Sequence, residues 1–134
     1  GSVSSLRPDM QEFQRIAALG IRNLSASYQL RDVAAKVGVL EVVTNMLKSP
    51  VVEVKRYAAK ALAELTLHEE NSRKLCVNGA MRPLLDMCRS GDKYCEHEAT
   101  KALVNLSIAP ENQKVMMAEG GAQVLEYLKN SRNP

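Results

Sequence analysis

Residues 70–107 read ENSRKLCVNGAMRPLLDMCRSGDKYCEHEATKALVNLS, and the pattern of this stretch recurs along the chain with a period of 41 residues. Its last three residues, NLS at 105–107, align without a gap with ELT at 64–66 and with NLS at 23–25. A period near forty in a helix-forming sequence predicts an α-solenoid, a stack of equivalent helical units. Such a fold offers a long surface rather than one cleft. The pattern therefore favours binding over catalysis.

Each unit is predicted to contain three helices, and the middle unit shows them most clearly. One apolar stripe predicts a long helix from residue 51 to about residue 67. A short helix follows the polar break at 68–71 and ends at Gly79, because glycine accepts the left-handed conformation of a helix end. A second helix then runs to residue 88, and Asp92 is predicted to cap the next long helix. The apolar stripe consists of Val54, Ala58, Ala61, Leu62 and Leu65.

The other two units follow the same order of helices. In the first unit we expect a long helix at 9–25, then a short helix from about 29 to 37. In the third unit we expect a long helix at 92–108 and a last helix at about 122–130. Small residues recur at one position of the long helices, where bulky side chains would push stacked helices apart. These small residues are Ala17, Ala58 and Ala99.

The composition indicates one domain with an aliphatic core. The chain has 134 residues, of which 46% are apolar and only 4% aromatic, so Leu, Val, Ala, Ile and Met must form the core. A net charge of +3 is too small to indicate nucleic acid as a partner. No stretch of about 18 apolar residues predicts a membrane span, and no signal peptide is apparent. Gly1 and Ser2 resemble the scar of a cleaved expression tag.

The three cysteines are not spaced as a disulfide framework or a zinc site. By the period, Cys95 lies at the core position of Val54 and Cys76 at that of Ala35, so both are predicted to be small buried apolar residues. Reduced thiols indicate a cytoplasmic or nuclear protein. No catalytic motif is present, and we expect no enzymatic activity, no metal and no cofactor.

Three segments carry a resemblance to the armadillo repeat: residues 70–87, 93–107 and 111–128. The family pattern has an asparagine before an apolar helix, a Gly-Ala-like stop, a leucine-rich second helix, and a third helix that ends in Ala-Leu-x-Asn-Leu. The resemblance implies a right-handed superhelix of three-helix repeats. HEAT repeats are the nearest alternative, but they typically have two helices per unit and lack the glycine stop.

On this alignment the chain divides into partial and complete repeats. Residues 1–7 are a tag remnant and an N-terminal tail, and 8–26 are the third helix of a first partial repeat. Residues 27–67 and 68–108 are complete repeats, and 109–134 hold the first and second helices of a last one. We therefore expect either a fragment of a longer array or a module that covers its ends by self-association.

The resemblance also implies a binding site. Third helices of armadillo proteins line a concave groove for extended peptides, and an asparagine near the helix end holds the peptide backbone. Asn23 and Asn105 match that asparagine, whereas Glu64 does not. Family members that read basic nuclear-import signals have a tryptophan four residues earlier. This chain has Leu19, Lys60 and Lys101 there, so a Lys-rich peptide is not expected.

Basic residues on the exposed face of the long helices predict an acidic or phosphorylated protein segment as the partner. An ordinary solvated helix face also accounts for these residues, since lysine and arginine are usually exposed. Nucleic acid is less favoured, because no aromatic residue is interleaved with the basic ones. The predicted groove consists of Arg15, Leu19, Arg22, Asn23, Arg56, Lys60, Glu64, His97, Lys101 and Asn105.

Two other functions stay open. The first long helix of one molecule could dock on the last two helices of another, so that molecules associate head to tail. Alternatively, the array could be the regulatory arm of a larger catalytic protein. The residues predicted for self-association are Phe13, Ile16, Val124, Leu125 and Leu128.

Overall fold

A computed structural model describes residues 8–26 and 38–131, and its regular secondary structure in these residues is entirely α-helical. The helix predicted for about 29 to 37 lies outside the described residues. The fold is therefore all-α over the described part of the chain. The helices are α1 (Pro8–Ala26), α2 (Val39–Met46), α3 (Val52–Leu65), α4 (Glu69–Val77), α5 (Met81–Met87), α6 (Lys93–Leu106), α7 (Pro110–Ala118) and α8 (Gly121–Ser131).

The three long helices lie side by side in chain order. Helix α1 packs against α3, and α3 packs against α6. The shorter helices connect these layers: α2 packs on α3, α5 packs on α6, and α4 contacts both α2 and α6. Helices α7 and α8 pack against each other, and α7 also contacts α4. The three alanine-rich helices are thus neighbours, as the sequence predicts.

The predicted helix end at Gly79 and the predicted cap at Asp92 are confirmed. Gly38, Gly79 and Gly120 have φ angles of 81°, 83° and 102°, the left-handed conformation for which glycine is suited. The Asp92 carboxylate accepts a hydrogen bond of 3.0 Å from the Cys95 backbone N–H, which caps α6.

Side-chain contacts recur at the 41-residue period. The buried Asn71 amide donates to the Leu65 carbonyl oxygen at 3.0 Å, and the buried Asn112 amide donates to the Leu106 carbonyl oxygen at 3.1 Å. Each bond fixes the junction between a long helix and the short helix after it. Contacts between successive short helices recur as well. Asn78 donates to Glu41, and Arg82, 41 residues after Glu41, donates to the carbonyl oxygen of Glu119.

The core runs through all layers and is built from small and branched apolar side chains. Ala58, Ala61 and Leu62 of α3 and Ala99 and Ala102 of α6 are buried. Alanine at these positions lets the long helices approach closely. The predicted close packing at the small residues holds less well in α1, where Ala17 is only partly buried.

Several residues differ from their predicted exposure. Ala63 follows Arg56 and Lys60 on the face of α3 opposite the apolar stripe, yet it is buried because the next long helix covers it. Val77, next to Cys76 in α4, is 85% exposed. Of the methionine pair in α7, Met116 is buried and Met117 is exposed. Cys76 is only partly buried. The apolar period locates the core face of a helix, but it does not locate residues at the edge of that face.

Candidate functional site

The predicted groove residues lie on three adjacent helices. Arg15, Leu19, Arg22 and Asn23 are on α1, the residues from Arg56 to Glu64 are on α3, and those from His97 to Asn105 are on α6. We call this set the long-helix surface. Because α3 lies between α1 and α6, the structure brings the three groups together in chain order.

The two arginines at the N-terminal side of this surface are held by carboxylates of the next helix. Arg15 Nε donates to Glu53 Oε2 at 3.0 Å, and Arg56 Nη2 donates to Asp92 Oδ1 at 2.6 Å. These hydrogen bonds raise the pKa of both guanidinium groups and hold the pKa of Asp92 well below its usual range. Each arginine therefore links two long helices.

The two lysines are paired too. Lys60 Nζ lies 3.2 Å from Glu64 Oε1, and the hydrogen bond to Glu64 raises the pKa of Lys60. Lys101 Nζ lies 3.2 Å from Glu98 Oε2. Glu98 is buried, and its charge also raises the pKa of Lys60. Positive and negative groups thus alternate across α3 and α6.

The expected basic stripe is corrected by these contacts. Arg15, Arg56, Lys60 and Lys101 each face a carboxylate of this chain. Arg22 differs, since its Nη1 donates to the amide oxygen of Asn23, at 3.3 Å. The sequence shows which helix positions carry the cations. It does not show that Arg15 and Arg56 are reached by carboxylates 38 and 36 residues later in the chain.

The two asparagines have different surroundings. Asn105 is half-buried, and its amide donates to the Ala63 carbonyl oxygen at 3.3 Å and to Thr66 Oγ1 at 3.0 Å. It therefore joins α6 to α3 and does not offer those amide hydrogens to a peptide. Asn23 is exposed on α1. His97 is also exposed, with Nδ1 at 3.6 Å from Glu98 Oε1.

The sequence analysis missed an aromatic cavity on the long-helix surface. A cavity of about 250 Å³ between α3 and α6 is lined by Glu53, Arg56, Tyr57 and Tyr94. Tyr57 is partly buried and Tyr94 is 44% exposed. The 41-residue alignment gives little signal for it, because Tyr57 and Tyr94 align with Glu98 and Glu53 rather than with other aromatic residues.

The residues predicted for self-association are only partly exposed. Ile16 and Leu125 are exposed and Leu128 is partly buried. Val124 is fully buried against the core, so its side chain offers no exposed surface for that contact. The side chain of Phe13 is outside the described set.

The cysteines and the other titratable groups do not form a reactive centre in the described ranges. Burial raises the pKa of the Cys88 and Cys95 thiols to about 12, which makes them poor nucleophiles. Within residues 8–26 and 38–131, no group of three or more His, Cys, Asp or Glu side chains is arranged to hold a metal ion. In the same ranges, no helix has the length and apolar character needed to span a bilayer.

The fold is similar to that of an engineered protein solved by crystallography. The match has a TM-score of 0.84 and 28% sequence identity, and it covers 98% of this chain and 54% of that chain. This chain therefore spans about half the length of the engineered protein. No family model and no curated protein matches the sequence. The similarity supports the all-helical fold and provides no ligand.

Proposed function

We propose that this chain is an armadillo-type α-solenoid segment that acts as a non-catalytic protein-interaction module. Its site is the long-helix surface, and its ligand is an extended, phosphorylated segment of another protein. The observation that carries the proposal is the alignment of α1, α3 and α6 as adjacent layers with polar side chains at equivalent positions.

Contacts that recur 41 residues apart support the repeat arrangement. The junction bonds of Asn71 and Asn112 are equivalent, as are the left-handed glycines before α2, α5 and α8. Arg15 and Arg56 also bind the next layer in similar ways. In a repeat stack, each unit contacts its neighbours through equivalent residues, and the contacts above recur between equivalent residues.

The ion pairs favour a phosphorylated segment over a merely acidic one. A partner anion must displace Glu53 from Arg15 or Asp92 from Arg56, and both carboxylates carry one negative charge. A phosphate group carries nearly two negative charges and offers three acceptor oxygens, so it competes better for a guanidinium group. A glutamate of the partner segment would only replace one carboxylate at the arginine with another, so it adds little binding free energy.

The aromatic cavity provides a second point of contact for the same segment. It adjoins Arg56, and Tyr57 and Tyr94 present apolar ring surface there. An apolar or aromatic side chain next to the phosphorylated residue fits this chemistry. The segment is then recognised by one charged and one apolar group.

Binding to short peptide libraries tests the proposal. Three helices spaced by 8–10 Å span about 20 Å, so peptides of about eight residues are long enough to cross them. Libraries with a central phosphoserine, serine or glutamate are titrated against the 134-residue protein by fluorescence anisotropy. We expect binding of the phosphoserine library to exceed binding of the other two.

A charge-neutral double variant identifies the site. In Arg56→Gln/Asp92→Asn the guanidinium is lost together with its partner, and asparagine still caps α6. This variant should lose phosphopeptide binding while its helix content is unchanged. The matched control is Arg73→Gln/Glu69→Gln, an exposed ion pair on α4. Equal binding by the wild type and the first variant, or equal loss in both variants, would rule out the proposed site.

A further inference from the structure

Helix α1 has an apolar face that the described residues cover only in part. Ala17 and Ile21 are only partly buried and Gly20 is exposed, whereas the residues 41 positions later, Ala58, Ala61 and Leu62, are at most 1% exposed. On α3 the equivalent residues are covered by neighbouring helices. One of these is α2, which comes just before α3 in the chain and packs on it. The corresponding side of α1 has no such helix among the described residues.

At the other end of the described chain, α6 and α8 present a face on which no further long helix packs. Helices α2 and α5 each pack on the long helix that follows them, but no described long helix follows α8. Leu125 of α8 is 52% exposed, while the equivalent Leu84 of α5 is 0% exposed. Val104 of α6 is 59% exposed, while the equivalent Ala63 of α3 is 4% exposed.

We propose that these two faces bind each other between two copies of this chain. Helix α1 of one copy docks on α6 and α8 of another. Within one chain, α3 packs in the same way on α1 and α2, and α6 packs in the same way on α3 and α5. Ala17, Gly20 and Ile21 then pack against Leu125 and the partly buried Leu128.

The polar groups of the two faces match the contacts that join α3 to α6. Asn105 donates to the Ala63 carbonyl oxygen and the Thr66 hydroxyl. Asn23 stands at the same repeat position as Asn105, while Val104 and Ser107 stand at those of Ala63 and Thr66. Docking therefore brings the Asn23 amide of one copy to the Val104 carbonyl and the Ser107 hydroxyl of the other.

Donor and acceptor side chains are complementary across the same contact. Arg15 pairs with Glu53 between α1 and α3. In the proposed interface, His97 of one copy stands at the position of Arg15 and can donate a hydrogen bond. Glu12 of the other copy stands at the position of Glu53 and can accept it. Glu126 and Lys129 of α8 replace Leu85 of α5 and Cys88 just after it, so the interface is more polar than the internal ones. The association is accordingly weaker than the packing between layers within one chain.

Sedimentation velocity over a concentration series measures the association. Gly20→Lys and Leu125→Lys each damage one of the two faces. Beyond the nearby residues of α1 itself, no described atom lies within 4 Å of a Cβ placed at Gly20, and Leu125 is exposed, so both variants should fold as the wild type does. Each lysine should weaken association by more than about tenfold, because the interface would bury an unpaired charge. Val77→Lys, on an exposed residue of α4, is the matched control and should associate normally.

Mixing the two damaged variants distinguishes this geometry from a symmetric dimer. Gly20→Lys retains an intact α6 and α8 face, and Leu125→Lys retains an intact α1 face. A head-to-tail contact therefore predicts heterodimers in the mixture and none in either variant alone. A monomeric wild type at high concentration, undiminished association of Gly20→Lys, or no heterodimer in the mixture would each overturn the proposal. Neither substitution lies on the predicted groove, so phosphopeptide binding should persist in both variants whether or not copies associate.

Discussion

At the scale of single residues, two helical glycines differ in the space around them. Beyond the nearby residues of α1 itself, a Cβ at Gly20 would have no described atom within 4 Å, whereas a Cβ at Gly121 would lie 2.8 Å from both Cγ and the carbonyl oxygen of Met116. Gly121 therefore allows α8 to approach α7 closely. Gly20 has no such role in the described part of the chain, and its equivalents Ala61 and Ala102 are alanines.

These surroundings predict opposite effects of alanine at the two positions. Gly20→Ala should raise the free energy of unfolding by about 1 kcal/mol, through helix propensity. Gly121→Ala should lower it by about 1–3 kcal/mol, because the methyl group overlaps backbone that cannot move freely. Urea unfolding at low protein concentration measures both values. A stabilised Gly121→Ala variant would show that the approach of α8 to α7 is looser than the structure indicates.

At the scale of helices, the sequence predicted where elements begin and end better than what their exposed faces contact. The long helix expected at residues 51–67 is observed as Val52–Leu65, and the Gly79 end of α4 and the Asp92 cap of α6 are confirmed. Helix ends depend on local chemistry, which a sequence shows directly. The pairing of Arg56 with Asp92 and the burial of Ala63 depend instead on how two helices are placed side by side. No local pattern contains that information, so the pairing of Arg15 and Arg56 could not be predicted. The carboxylates that pair with Lys60 and Lys101 lie only three or four residues away in the sequence.

Asp92 joins α3 to α6 and also caps α6, so its ionisation should affect stability. Hydrogen bonds from Arg56 and from the Cys95 backbone keep its folded pKa below the ordinary value of 3.8. A lowered pKa means that folding favours the ionised form. The stabilisation is fully present above about pH 5 and is lost as the pH falls through 3.8 towards the folded pKa.

The variant Asp92→Asn tests this dependence, since asparagine keeps the cap but not the charge. Its free energy of unfolding should be lower than that of the wild type at about pH 7. The difference should begin to shrink below about pH 4 and disappear only near the folded pKa, where the wild-type carboxyl becomes protonated in the native state. Urea unfolding across this pH range measures the difference. Glu69→Gln, at an exposed ion pair on α4, should change stability much less. A difference for Asp92→Asn that does not vary with pH would contradict the assigned role.

At the scale of the whole molecule, equivalent residues do not contribute equally, because the layers at the ends lack one neighbour among the described residues. Ile21, Leu62 and Leu103 share one repeat position. Leu62 and Leu103 are buried, while Ile21 is only partly buried. In a stack, a residue's contribution depends on the layers on both sides of it. Stability should therefore be greatest at α3 and α6 and least at α1.

Alanine substitutions at these three residues measure that gradient and bear on association between copies. At low protein concentration, Leu62→Ala and Leu103→Ala should each lower the free energy of unfolding by about 2–5 kcal/mol, and Ile21→Ala by less. If a second copy covers α1, the cost of Ile21→Ala should rise with protein concentration, because binding to the folded state adds stability that this variant loses. The costs at Leu62 and Leu103 should not change with concentration. Equal costs at all three positions in dilute solution would mean that α1 is as well covered as α3 within a single chain. The uncovered face on which the docking proposal depends would then not exist.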